Sequence, residues 1–529
     1  MLVLLPILLL MFAAGAVLLV QRLRPGFGPA WLTNIGLTLL TWIIVLVMRW
    51  QTTPPFIIEA WFPISGSGNT LVLNFDAISW PYAFALISVV LAVMLTLPVR
   101  LPASASSGLW ARNLAISSMG LLSVLSANPL AFVLNWTAID LVELIVRLTV
   151  LEEEPARSQI VLAFGVRVGG TVCLMAALVS SYANGTPLSF ESLDPQSGLW
   201  LLLAAGLRLG VLPLNLPFTR EDPRRRGLGT ILRMVAAASS LALLARLPQN
   251  SFPATWQPFL LGLCTLAALY GAAMWAASDN SLNGRPYWLI SLAALAIACV
   301  VQNTPTASIA WGLALLLIGS VLFLYSAHDQ RVVAIPILAV LILPGFPFTP
   351  FSSGWSGLLT LPINSSGIIF LISVGLLMVG AIRPLLHLGR EMDRREGWVL
   401  AVYPLGLLIP TAAAWIFASV QPNRLTAERW WAAPIALLFT SFAIVLFYRS
   451  ARRENEPRPW LQQAAQRLAS SLAALLSLNW VYGLLWWVYR QLEKLVALIS
   501  LLFEGDGGVL WVMVLLTLLI SIIGQAKTP

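Results

Sequence analysis

Long apolar runs recur along this chain, and they restrict what it can fold into more than any other feature. Each run has about 17–25 residues between charged or turn residues, which is the length of one membrane-spanning α-helix. Of the 529 residues, 59% are hydrophobic and only 10% are charged, which excludes a soluble protein of this length. The sequence therefore predicts an all-α polytopic membrane protein with about 14–16 transmembrane helices. The candidate spans cover residues 1–20, 30–49, 79–98, 110–126, 128–150, 158–181, 197–217, 227–247, 256–277, 286–302, 305–326, 331–349, 366–386, 398–420, 431–448 and 508–525.

Two of these runs contain prolines where a spanning helix would otherwise be continuous. The prolines are Pro213 and Pro217 in LAAGLRLGVLPLNLPF, and Pro344, Pro347 and Pro350 in AVLILPGFPFTPF. Proline removes a helix hydrogen bond and clashes with the preceding turn, so both helices should break. In lipid a broken helix persists only where protein or water satisfies the freed backbone groups. Two such breaks in corresponding halves of a chain indicate an ion or substrate pathway built from inverted repeats.

The predicted organisation has six segments. Charges interrupt aromatic-rich apolar stretches in 454–505, which is typical of a helix that lies along the membrane surface. The alternating LVLNFD that starts at Leu71 predicts a short extramembrane hairpin. The segments are 1–109 with the N-terminal spans, 110–247 with the first inverted five-helix repeat and its break at 213, 256–386 with the second repeat and its break at 344, 398–448 with the C-terminal spans, 454–505 with a lateral amphipathic helix, and 508–525 with a final span.

The loops carry most of the positive charge, which gives the chain a net charge of +9. Arginines fall mostly in every second connection, as at Arg22, Arg112 and Arg224. Basic residues concentrate in cytoplasmic loops, so the pattern predicts an N-terminus outside the cell and explains the charge without a nucleic-acid partner. We expect a multi-pass protein in the plasma or inner membrane of a prokaryote.

Charged residues inside predicted spans are the candidates for function, because an ionisable side chain in hydrocarbon is expensive. Asp140 and Glu143 share one helix face with Arg147. Three interpretations are open: buried ion pairs that fix helix packing, a remnant or shifted proton relay, or a span boundary that leaves Glu143 and Arg147 at the membrane interface. No cysteine cluster, haem motif or nucleotide-binding motif occurs, so we expect no cofactor, no metal site and no redox chemistry in this chain. The proton-path candidates are Asp140, Glu143, Arg167, Arg208 and Arg233.

Several short sequence words follow one another in a familiar order along roughly residues 75–390. They are LNFDAISWPYAFAL, YANGTPLSFESL, LRLGVLPLNLPF, TILRMVAA and LPGFPFTPF. Together they resemble the antiporter-like membrane subunits of respiratory complex I, of Mrp-type sodium/proton antiporters and of membrane-bound hydrogenases. The resemblance implies a membrane subunit of a complex I-like assembly, of NADH:quinone oxidoreductase or hydrogenase type, that contributes to the translocation of protons or, as the alternative, of sodium ions. Its partners would be other membrane subunits and the lipid bilayer. The alternative is a scaffold of the same fold that no longer conducts protons.

The chain departs from this family at the residues that matter for conduction. Arg208 and Arg233 stand where the family carries a lysine and a second basic residue in its seventh and eighth helices. Trp136 is followed by a threonine instead of the family's glutamate, and Asn215 replaces its histidine. Since arginine does not release its proton in proteins, these positions are poor proton carriers.

In the family the seventh-helix base faces the fifth-helix acid. The resemblance therefore implies that Arg208 hydrogen-bonds Asp140, one or two turns from the usual acidic position. We expect Arg233 or Arg167 to lie close behind this pair.

Overall fold

The computed structural model describes most of the chain up to residue 452 and only scattered helical residues beyond it. The chain divides into two compact units, Met1–Asn455 and Glu456–Pro529. The predicted lateral helix and final span lie almost wholly outside the described residues and stay predictions. The described residues are 2–24, 27–51, 53–58, 70–99, 107–148, 154–185, 189–191, 193–215, 226–278, 281–326, 330–386, 397–421 and 427–452, with isolated positions between 483 and 518.

The first unit is built almost entirely of helices, which confirms the predicted fold class. The single sheet in the described part is a two-stranded antiparallel hairpin of β1 (Phe56–Ile58) and β2 (Leu71–Leu73), in agreement with the predicted hairpin. The helices are α1 Leu5–Leu23, α2 Phe27–Val47, α3 Ser79–Thr96, α4 Ser107–Val124, α5 Pro129–Leu148, α6 Glu154–Ala183, α7 Pro195–Leu209, α8 Arg226–Arg246, α9 Gln257–Ala277, α10 Ser281–Val301, α11 Pro305–Leu324, α12 Gln330–Leu341, α13 Gly354–Leu358, α14 Ser365–Leu386, α15 Gly397–Val420 and α16 Ala432–Arg452. Short 3₁₀ turns occupy Leu2–Leu4, Met48–Trp50, Leu97–Val99 and Ala254–Trp256.

Among the described residues, 11 helices are long and apolar enough to cross a membrane. Each of the predicted spans before residue 450 coincides with one helix, and α13 is a short additional helix after the second break. The most apolar segments of α3, α8 and α11 are completely buried, whereas those of α1, α2 and α6 are less than half buried. A helix that is apolar all round and buried all round forms the centre of a bundle. The multi-pass membrane architecture is therefore established, with α3, α8 and α11 in its interior.

The five-helix segments α4–α8 and α9–α14 have the same pattern of neighbours, when α12 and α13 are taken as one broken helix. In each segment the first helix packs against the second and the last, and the second packs against the third. In each, the broken helix contacts the third helix and the last. Two copies of one unit would produce this pattern. Their superposition by a half-turn, and the segment limits, stay predictions.

Both predicted breaks are present. The helix α7 ends at Leu209, and Gly210 follows with a φ of 78°, which a residue with a side chain rarely adopts. Pro213 stands four residues after the end of α7, where it has no N–H for a helical bond to that turn. In the second break α12 ends at Leu341, and Pro344 and Pro347 lie in the turns that precede α13. Pro217 lies outside the described residues.

Candidate functional site

The fifth helix carries its charged residues on its inner face. Asp140, Glu143 and Arg147 are buried, with exposed fractions of 3%, 3% and 7%. Leu141 and Ile145 lie on the opposite face and are about half exposed. The helical spacing that separates the two sets is the one expected for a helix with one face toward lipid and one toward the bundle.

Asp140 forms a two-point ion pair with Arg208 of α7. The Arg208 Nη2 atom donates to Asp140 Oδ1 at 2.8 Å, and Nη1 donates to Oδ2. Both side chains are almost fully buried. The predicted contact between the seventh-helix base and Asp140 is therefore confirmed. Planar guanidinium and carboxylate groups suit this geometry, which a lysine would not reproduce.

Glu143 lies between two arginines. Arg147 Nε, one turn along α5, donates to Glu143 Oε1 at 2.7 Å, and Arg167 Nη1 of α6 donates to Oε2. The same Arg167 Nη1 atom is 3.8 Å from Asp140 Oδ1. Arg167 thus joins the two carboxylates into one network across α5, α6 and α7, and it is the basic residue expected close behind the Asp140 pair.

We call these five residues the α5–α7 network: Asp140, Glu143, Arg147, Arg167 and Arg208. It holds two carboxylates and three guanidinium groups. Arginine remains charged in proteins, so the network carries one more positive group than negative when both acids are ionised. Buried charges of this kind are stable only when paired and hydrogen-bonded, as these are.

Small and aromatic neighbours position Arg208. Its Cζ atom lies 4.3 Å from the centroid of the Trp136 ring, a cation–π contact. A Cβ atom on Gly170 of α6 would lie 2.6 Å from Arg208 Cγ and 3.0 Å from the Ala204 carbonyl oxygen. Gly170 therefore provides the space that the arginine stem occupies between α6 and α7. This role was not predicted from the sequence, although the Gly-Gly pair two and three residues after Arg167 was a signal for it.

A small crevice adjoins the network. It is lined by Asp140, Glu143, Arg147 and Arg167, with Phe164 among its apolar residues, and has about 10 Å³ for the centre of a water molecule. That is close to the space that one water needs. The network thus has room for one water beside its acids.

The remaining predicted residues lie elsewhere. Arg233 is buried on α8, which packs against α7, with an exposed fraction of 1%. Asn215 closes the first break: its side chain donates to the Pro213 carbonyl oxygen at 2.9 Å, and its backbone N–H donates to that of Gly210 at 3.0 Å.

The second break, like the first, is closed by neutral hydrogen-bond donors. Trp355 Nε1 donates to the Pro344 carbonyl oxygen at 2.6 Å, and Trp311 Nε1 donates to that of Gly354 at 3.1 Å. The two indole rings meet edge to face with centroids 5.1 Å apart. The helices α9 to α14 contain no Asp, Glu, Lys or His at all, and their charged residues are Arg285, Arg331 and Arg383.

The described part of the chain has neither a metal-ligand cluster nor a paired cysteine. There, no group of three His, Cys, Asp or Glu side chains is placed to hold a metal ion. The cysteines Cys173, Cys264 and Cys299 are free thiols.

Comparison with solved structures identifies the fold. The chain is similar to a chain of the Mrp complex from Dietzia sp. DQ12-45-1b, with a TM-score of 0.73 and 15% identity over 100% of this chain. It spans 63% of the length of that chain. A chain of respiratory complex I from Thermus thermophilus matches with a TM-score of 0.63 and 17% identity, over 83% of this chain and 99% of its own length.

A third similar structure is the membrane-bound sulfane sulfur reductase, an archaeal respiratory membrane complex. Its TM-score is 0.66 at 14% identity, over 98% of this chain and 99% of that one. No family model matches the sequence, and no curated protein matches it. At these identities the comparisons show the fold alone. They confirm that this chain has the fold of an antiporter-like membrane subunit, as the sequence words indicated.

Proposed function

We propose that this protein is a membrane subunit of a complex I-like assembly and contributes to proton translocation through the α5–α7 network. The observation that supports the proposal is the joining of Asp140 and Glu143 by Arg167, beside the first broken helix. Other membrane subunits of the assembly and the lipid bilayer are its partners. The ions that it moves are protons or, as the alternative, sodium ions. Its place is the prokaryotic plasma or inner membrane, with the N-terminus outside.

The arrangement suggests how arginines take part without carrying protons. Arg167 Nη1 bonds Glu143 and is 3.8 Å from Asp140 Oδ1, so a small side-chain movement would shift it from one acid to the other. An acid that loses a positive neighbour in a buried site binds a proton more readily. In the proposed mechanism the arginines stay positively charged, and Arg167 moves its hydrogen bond from one acid to the other. The acids take up protons from water in the crevice.

Proton uptake into vesicles tests the proposal. The assembly is purified by an affinity tag on this chain and reconstituted into vesicles. These vesicles should take up protons when a proton gradient is imposed. Asp140→Asn and Glu143→Gln should each reduce the rate by about a hundredfold or more, which is the typical lower limit for removing a general acid–base group. Glu191→Gln removes an exposed acid outside the network and is the matched control. Uptake at the wild-type rate in both network variants would contradict the proposal.

A non-conducting scaffold of the same fold is the second candidate, and one observation favours it. The helices α9 to α14 carry no acid, lysine or histidine, so the helical part of the second half lacks groups that exchange protons near neutral pH. A scaffold predicts no proton uptake by the wild-type assembly, together with loss of assembly when α5–α7 contacts are broken.

A further inference from the structure

A polar pocket of about 310 Å³ lies beside the C-terminal end of α2, away from the α5–α7 network. It is formed by the turn after α2 and by the segment that leads into α3. The residues that give it its chemistry are Arg49, Trp50, Thr53, Asn74, Asp76 and Trp80. A pocket of this size holds far more than one water.

Two buried polar atoms in this pocket lack a hydrogen-bond partner among the described residues. They are Arg49 Nε and Thr53 Oγ1. The Arg49 guanidinium lies 5.8 Å from the centroid of the Trp80 ring, which supports its flat face. Trp80 is itself fixed by a 2.9 Å bond from Nε1 to the Val45 carbonyl oxygen. A buried donor without an acceptor is costly, so Arg49 Nε is suited to an acceptor that a bound molecule supplies.

The charge balance selects an anion. Asp76 is the acid of the pocket, and Arg246 of α8 pairs with it at 2.7 Å. The other Asp76 oxygen, Oδ1, accepts from the backbone N–H groups of Ile78 and Ser79 at 3.0 and 2.7 Å. Because Asp76 is already satisfied, the charge of Arg49 is not balanced by any described carboxylate.

The surroundings point to a lipid as the source of that anion. Ile43 and Val47 of α2 expose 44% and 43% of their surface on the outer side of the bundle, and Trp50 exposes 66%. An exposed tryptophan at the end of an apolar helix is typical of the level of lipid headgroups. Acyl chains along this face of α2 would bring a headgroup to the pocket.

We propose that this pocket binds the phosphate of a membrane phospholipid headgroup. Arg49 donates to the phosphate oxygens from Nε, and Thr53 adds a hydroxyl donor. The net positive charge of Arg49, Arg246 and Asp76 together favours a lipid whose headgroup is anionic.

Native mass spectrometry of the full-length chain in mild detergent tests the proposal. Delipidated protein is titrated with short-chain phosphatidylglycerol, and Arg49→Gln should weaken binding of one lipid by about tenfold or more, the loss expected for a charge-assisted hydrogen bond. Arg22→Gln removes an exposed arginine at the end of α1 and should bind as the wild type does. Thr53→Val keeps the charge and should weaken binding by a smaller factor, which keeps the test available if Arg49→Gln does not fold.

Two further probes separate the sources of phosphate. The matching diacylglycerol, which lacks phosphate, and inorganic phosphate should both bind at least about tenfold more weakly than the lipid. Equal lipid binding by wild type and Arg49→Gln, or equal binding of diacylglycerol, would overturn the site. Inorganic phosphate binding as tightly as the lipid would overturn the assignment to a headgroup.

Discussion

Removing Arg208 tests the α5–α7 network most directly, because Asp140 would lose its two-point partner. In Arg208→Leu the nearest remaining cation is Arg167, whose Nη1 is 3.8 Å from Asp140 Oδ1. Two hydrogen bonds to charged groups contribute roughly 1.5–3 kcal/mol each. Breaking one partner from a buried pair costs roughly 3–5 kcal/mol in other proteins. Arg167 can compensate only by weakening its bond to Glu143, so we expect a loss of about 3 kcal/mol in the free energy of unfolding.

A double-mutant cycle assigns this loss to the pair. The free energy of unfolding is measured by detergent denaturation for the full-length wild type, Arg208→Leu, Asp140→Leu and the double variant. Replacing both partners of a buried pair with apolar residues is often nearly neutral. The double variant should therefore be more stable than either single variant, with a coupling energy of at least about 2 kcal/mol.

Two results would refute this reasoning. One is an Arg208→Leu protein within about 0.5 kcal/mol of the wild type, the range of ordinary surface substitutions. The other is a double variant whose loss equals the sum of the two single losses, since additivity means that the side chains do not interact.

Two further predictions concern the helix contact beside the network and the ion pair near α3. Gly170→Ala places a Cβ 2.6 Å from Arg208 Cγ and should lower the free energy of unfolding by about 1–3 kcal/mol, whereas Gly15→Ala, whose Cβ meets nothing within 4 Å, should not lower it. Burial raises the pKa of Asp76, but Arg246 and the backbone bonds from Ser79 and Ile78 outweigh it and hold the pKa below its ordinary value. A carboxyl group whose pKa is lowered by folding stabilises the protein at pH values above its unfolded-state pKa, and this stabilisation disappears as the pH falls. The loss of stability caused by Asp76→Asn should therefore be full at pH 7 and shrink below about pH 4. Thermal unfolding of each variant checks the first prediction, and the same measurement across pH checks the second; a pH-independent difference for Asp76→Asn would contradict it.

The helices and their breaks were predictable because both depend on local properties of the chain. Apolar run length sets a span, and a proline forbids a helical bond wherever it stands. The Asp140–Arg208 pair was also predictable, because a charge in the bundle interior needs an opposite charge and the resemblance to antiporter-like subunits placed that opposite charge on the fifth helix.

The details of the network depend on how the helices rotate and approach, which the sequence does not specify. The bond between Arg167 and Glu143 requires that these two residues lie on the facing sides of α6 and α5, at the same level along the two helix axes. The space for Arg208 depends on Gly170, whose role is visible only once α6 and α7 are packed. Arg233 illustrates the same limit, because its position on α8 fixed its burial but not its neighbours.

Neutral side chains close both breaks, but the surroundings of the two breaks differ, and that difference bears on function. A broken helix inside a membrane must have its freed carbonyl groups satisfied. At the second break the Trp355 indole donates to the Pro344 carbonyl oxygen, which needs no charge and exchanges no proton. The first break lies beside five charged side chains, two of which are acids. Groups that change protonation state are what distinguish a proton path from a structural break. Under the proposed function, the charge-dependent step of proton translocation therefore takes place in α5–α7. Proton passage between the helices α9 to α14 depends on water or on groups from a neighbouring subunit.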